Sequence, residues 1–81
     1  MQELLSNIDK IRTTPLGIDR IEKNLDISVD VVEYCKNMIK DKRCNIYKKG
    51  KNYYCEIDNI KITINSFSYT IITACKINKK G

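Results

Sequence analysis

The feature that most constrains this chain is a change of hydrophobic period at Cys44. Before it, apolar residues recur three and four positions apart, the spacing of one helix face. After it they alternate, the spacing of a strand with one side buried. Helical signals followed by strand signals specify an α+β fold, with two to three N-terminal helices packed on one face of a four-stranded antiparallel β-meander.

The helical half divides at its own punctuation. Leu4, Leu5, Ile8 and Ile11 form an apolar stripe over about residues 2–12, which Thr13-Thr14-Pro15 ends. Thr14 then N-caps a helix over about 16–25, with Pro15 at its first position and Leu16, Ile18, Ile21 and Leu25 inward. The third helix, about 29–40, opens at Ser28 or Asp30, the latter with Glu33 three residues on. It turns Val31, Val32, Cys35, Met38 and Ile39 inward.

Strands are expected over about 43–48, 52–57, 60–65 and 69–77, in one domain spanning 1–77, with 78–81 a basic tail. Asp58-Asn59 is a two-residue turn tolerant of positive φ. It sets Ile57 against Ile60, Cys55 against Ile62 and Tyr53 against Ile64 on the core face, and Glu56 against Lys61 and Tyr54 against Thr63 on the other.

The last strand follows the loop Asn65 to Ser68 and is apolar on both faces. Tyr69, Ile71, Thr73, Cys75 and Ile77 alternate with Ile72 and Ala74, so both sides of it need cover. Its parity is left open by the loop. Ile62 opposite Ile72 exposes Thr73 and Cys75 beside Lys61, whereas the other parity buries them; hydrophobicity favours burial and function favours exposure.

Function classes are narrowed more by absences than by motifs. Histidine is missing from all 81 residues, which removes histidine-dependent acid–base and zinc chemistry. Phosphate-binding glycine loops and EF-hands are missing too, and the four cysteines, Cys35, Cys44, Cys55 and Cys75, show no C-x-x-C spacing. The cysteines therefore read as free, small core hydrophobes, Cys75 included, and no metal or cofactor is expected. With no apolar leader or membrane-length run, the expected location is the cytoplasm.

The net charge of +5 is uneven. Residues 1–40 hold six basic and seven acidic side chains, whereas residues 41–81 hold nine and three. Part of the lysine excess, 12 residues beside 14 isoleucines and 8 asparagines, reads as the signature of an AT-rich genome. What remains places Arg43, Lys48, Lys49, Lys51 and Lys61 among Tyr47, Tyr53 and Tyr54, the mix of cations and stackable rings that single-stranded nucleic acid requires. Residues Ile18 to Ile39 also carry the outline of a helix-turn-helix, but Asp30 and Glu33 set carboxylates where a recognition helix meets phosphates.

These residues define three functional expectations. The first is a binding module, without catalysis, engaging RNA or a nucleic-acid-handling protein through Arg43, Tyr47, Lys48, Lys49, Lys51, Tyr54, Lys61, Tyr69 and Thr73. The second is a metal-independent ribonuclease-like toxin with Glu56 as base and Lys61, Arg43 or a tyrosine stabilising the phosphorane. Cys75 is the one candidate nucleophile. The third is a phage-type protein inhibitor whose last strand pairs with a partner or with a second copy as a homodimer.

A family resemblance joins these readings. Ser66-Phe67-Ser68-Tyr69-Thr70-Ile71-Ile72-Thr73-Ala74, with Gly50-Lys51-Asn52-Tyr53-Tyr54 and Thr14-Pro15-Leu16-Gly17-Ile18-Asp19-Arg20-Ile21 before it, resembles a small bacterial family of unknown function. The resemblance covers nearly the whole chain and implies no known activity. It implies a histidine after Thr73-Ala74, where this chain has Cys75. The order of helices and strands is also similar to the compact fold of barnase-like and RelE-like ribonucleases and toxins, which act on RNA from the sheet.

Overall fold

The computed structural model describes residues 3–77. Its elements run α1 (Glu3–Ser6), a 3-10 turn (Ile8–Lys10), α2 (Pro15–Leu25), α3 (Val31–Lys40), β1 (Asn45–Lys49), β2 (Asn52–Ile57), β3 (Ile60–Asn65) and β4 (Ile71–Lys76). The four strands form one antiparallel sheet in the order β1-β2-β3-β4, and the expected basic tail, 78–81, lies outside the described residues.

Local chemistry explains most of the boundaries. The Thr14 hydroxyl accepts from Gly17 N at 3.0 Å ahead of Pro15, and Asp26 closes α2 at a φ of +55°. Asp30 caps α3, its carboxylate accepting from Glu33 N at 3.2 Å. Both turn residues of the β2–β3 hairpin, Asp58 and Asn59, take positive φ, and the register is Ile57 to Ile60, Cys55 to Ile62 and Tyr53 to Ile64.

Three expectations are corrected. The first helix does not run from 2 to 12: α1 ends at Ser6, a single 3-10 turn follows, and Ile11 is extended. The cause is competition for its backbone. Arg12 N donates to Tyr69 O at 3.0 Å, and Ile71 N donates to Arg12 O at 2.7 Å, a parallel bridge no helix could make. Leu5 and Leu16, assigned to inward stripes, are exposed; on α2 the buried positions are Gly17, Ile21 and Leu25.

The third correction concerns β4. Ile71 pairs with Ile64 but Thr73 pairs with Thr63, so Ile72 is an extra residue, a bulge that shifts the alternation by one. Ile71 and Ala74 therefore both point into the core, while Cys75, expected to be buried, is exposed opposite Lys61. Neither of the two simple parities holds along the whole strand. Ile71 and Ala74 are covered by the helices, whereas Ile72 and Cys75 are exposed.

The core gathers Leu4, Ile11, Ile21, Leu25, Val31, Cys35 and Ile39 from the helical half against Tyr53, Cys55, Ile62, Ile64, Ile71 and Ala74 from the sheet. All the helices thus sit on one side of the sheet. The β4 edge is engaged as well: Asn24 Nδ2 of α2 donates to Ala74 O at 3.2 Å, beside the Arg12 bridge.

Candidate functional site

One-sided packing leaves the other face of the sheet open, and the register decides which side chains meet there. Tyr47 pairs with Tyr54, Tyr54 with Thr63 and Thr63 with Thr73, a cross-strand row that takes one residue from every strand. Beside it runs a second row, Asn45, Glu56, Lys61 and Cys75. Neighbours on one face lie close enough for rings and long side chains to touch.

The contacts within these rows are specific. The Tyr47 and Tyr54 rings stack, with centroids 5.4 Å apart and planes at 24°. The Lys61 ammonium sits 4.9 Å from the Tyr54 centroid, a cation–π contact. The Tyr47 hydroxyl donates to Glu56 Oε2 at 2.6 Å, which pushes the Tyr47 hydroxyl above its usual range, with desolvation as a smaller cause. Glu56 and Lys61 stand opposite each other as expected. Among the described residues, though, they form no direct ion pair: the carboxylate is held by a tyrosine and the ammonium by a ring.

The other candidate residues scatter. Arg43 is committed elsewhere, its guanidinium 3.2 Å from Asp41 Oδ1 and 3.3 Å from Asp58 Oδ1. The hydrogen bond to Arg43 lowers the Asp41 carboxyl, and the same contact raises the guanidinium. Lys48 pairs with core-facing Tyr53 and lies over its ring at 5.9 Å, so it belongs to the opposite side of the sheet. Lys49 ends β1 on the same face as Tyr47, at the rim of the sheet, whereas Lys51 lies in the exposed β1–β2 turn. Tyr69 is also on the core side, stacked on Tyr53 at 6.3 Å with a φ of +58°. The face thus unites Tyr47, Tyr54, Lys61, Thr73, Glu56 and Cys75, and adds Asn45 and Thr63, which strand alternation alone could have supplied.

The cysteines divide by burial. Cys35 and Cys55 are fully buried, with desolvation pushing the Cys35 thiol up to about 12 and the Cys55 thiol higher still. Cys44 is half-buried, and burial raises its thiol too. Among the described residues no group of three metal-ligating side chains converges, and no helix is long and apolar enough to cross a membrane.

Fold and face together define an α+β domain with a single uncovered sheet surface, built from two stacked tyrosines, a carboxylate and an ammonium. The chain belongs to the protein family of unknown function DUF3781, whose model matches residues 5–75. No curated protein and no solved structure matches it.

Proposed function

We propose that this protein is a non-catalytic binding module for single-stranded RNA, which it engages through the open face of its sheet. The observation that carries the reading is the stacked pair Tyr47–Tyr54 with the Lys61 ammonium over Tyr54. Two rings already parallel offer a platform on which a base can lie without ordering cost, and base–aromatic stacking contributes about 1–3 kcal/mol per base. Lys61 and Lys49 lie on the same face to meet phosphates, and Thr63 and Thr73 add hydroxyls. The cationic sheet half supports the reading; the carboxylate-bound Arg43 contributes least to it.

Fluorescence anisotropy with a labelled mixed-sequence RNA tests it. Two to three phosphate contacts predict about a tenfold weaker affinity at 200 mM than at 50 mM salt. Tyr54→Leu and Lys61→Gln should each weaken binding by roughly fivefold or more. Affinity indifferent to salt and to both substitutions would sink the proposal.

One contact favours a second reading, that of a metal-independent ribonuclease-like toxin: the 2.6 Å hydrogen bond that places a tyrosine hydroxyl on the Glu56 carboxylate. The same RNA distinguishes the two, since it stays intact with a binding module and is cut, in a manner lost in Glu56→Gln, by a nuclease. The inhibitor and homodimer readings through the last strand have less support, because Arg12 and Asn24 already bond to backbone groups along that edge.

A further inference from the structure

A concavity that shares no residue with the open face lies between the N-terminal segment and the β3–β4 loop. It is a cleft of about 370 Å³ lined by Lys10, Arg12, Phe67, Ser68 and Tyr69. That volume falls in the usual range of small-molecule sites, about 300–1,000 Å³. Its lining combines two cations with two aromatic rings.

Each part is held in place by backbone already described. Arg12 is fixed beside Tyr69 by the bridge through Tyr69 O and Ile71 N. Lys10 Nζ lies 5.9 Å from the centroid of Tyr69, whose ring is stacked on Tyr53. Unlike Arg43, neither Lys10 nor Arg12 is neutralised by an ion pair among the described residues. The positive charge in this cleft is therefore free to meet an anion.

Phe67 is the largest apolar exposure in the described chain, at 75%. It is not loose: Asn65 Oδ1 accepts from Phe67 N at 2.9 Å, from Ser68 N at 2.9 Å and from Ser68 Oγ at 3.3 Å. Three donors on one oxygen fix the loop backbone from which the exposed phenyl ring projects. At the end of the same loop Tyr69 adopts a φ of +58°, a left-handed conformation common for asparagine and aspartate and unfavourable for tyrosine. Backbone strain of this kind concentrates at ligand sites.

We propose that the cleft binds a nucleoside monophosphate, free or as the phosphorylated end of a strand. Arg12 and Lys10 take the phosphate, the base stacks on Phe67, and Tyr69 holds the Lys10 ammonium in position. The proposal does not rest on the outer face: AMP binding here and salt-dependent RNA binding there are read in separate assays and can fail separately.

The test is a titration of the full chain with AMP, followed by backbone amide shifts in NMR, with adenosine and inorganic phosphate as component ligands. Shifts are expected to concentrate at Lys10, Arg12 and residues 67–69. Arg12→Gln and Phe67→Ala, both at exposed positions, should each raise the Kd about tenfold, whereas Lys23→Gln on the exposed side of α2 leaves it unchanged. Adenosine and phosphate should each bind at least about tenfold more weakly than AMP, since each forfeits one half of the site. A 5′-phosphorylated trinucleotide that binds more tightly than AMP assigns the cleft to strand ends; equal affinity assigns it to free nucleotide. Shifts that map elsewhere, phosphate binding as tightly as AMP, or a Kd indifferent to both substitutions would overturn it.

Discussion

The four cysteines show how one residue type takes different roles by placement alone. Cys75 stands exposed on the outer face while Cys35 and Cys55 lie in the core with their thiols held protonated, so a maleimide or iodoacetamide under native conditions should modify Cys75 first. Mass spectrometry after brief labelling is expected to find one adduct, on Cys75, with Cys44 following more slowly and the two core thiols reacting only on unfolding. Gly17 makes a second prediction at this scale. A Cβ there would collide with Thr13 Oγ1 and come within 3.2 Å of Thr14 Oγ1, the helix-capping oxygen. Overpacking costs about 1–3 kcal/mol, more than the gain of about 1 kcal/mol that alanine brings to a helix interior. Gly17→Ala should therefore lower the denaturant midpoint instead of raising it.

Among the elements, β2, β3 and their hairpin were legible in the sequence because local rules agree there: alternation, a turn pair tolerant of positive φ, and opposing apolar residues all specify the same register. The first helix and the last strand were misread for a shared reason. They bond to each other through Arg12, Tyr69 and Ile71, a contact between residues far apart in the chain that no local pattern encodes. The bulge at Ile72 had the same effect on the candidate site, since one extra residue decides that Cys75 joins Lys61 on the surface. Lys10, Arg12 and Phe67 carry no signal in the sequence, because each, in its own segment, looks like an ordinary polar or loop position. Asn24 is the tie between α2 and β4 that can be cut alone. Loss of its hydrogen bond to Ala74 O in Asn24→Ala should cost about 1 kcal/mol in chemical denaturation. Hydrogen exchange should rise along β4 more than along β2.

For the molecule as a whole, the buried thiols set an alkaline limit. Cys35 ionises near 9.0 when unfolded and at about 12 when folded, and Cys55 is raised in the same direction. A raised folded value means that the stabilisation is complete below the unfolded one and is lost as pH climbs through the interval. Above about pH 9 the unfolded chain releases protons that the native state retains, so stability should fall by about 1.4 kcal/mol per pH unit for each thiol. Urea midpoints measured between pH 7 and 11 are expected to be level at first and then to decline, and Cys35→Ala should reduce the slope while lowering stability at neutral pH.

The arrangement of every helix on one side of the sheet separates two kinds of selection. The hydrophobic core lies on the covered face; Tyr47, Tyr54, Lys61 and Thr73, on the other, add cross-strand contacts of about 0.2–1 kcal/mol each. Such a surface can be rewritten residue by residue without approaching the stability threshold. In a saturation mutagenesis screen, substitutions along that face should lower abundance in the cell far less than substitutions at core positions, so that the outer face can vary while the scaffold stays fixed.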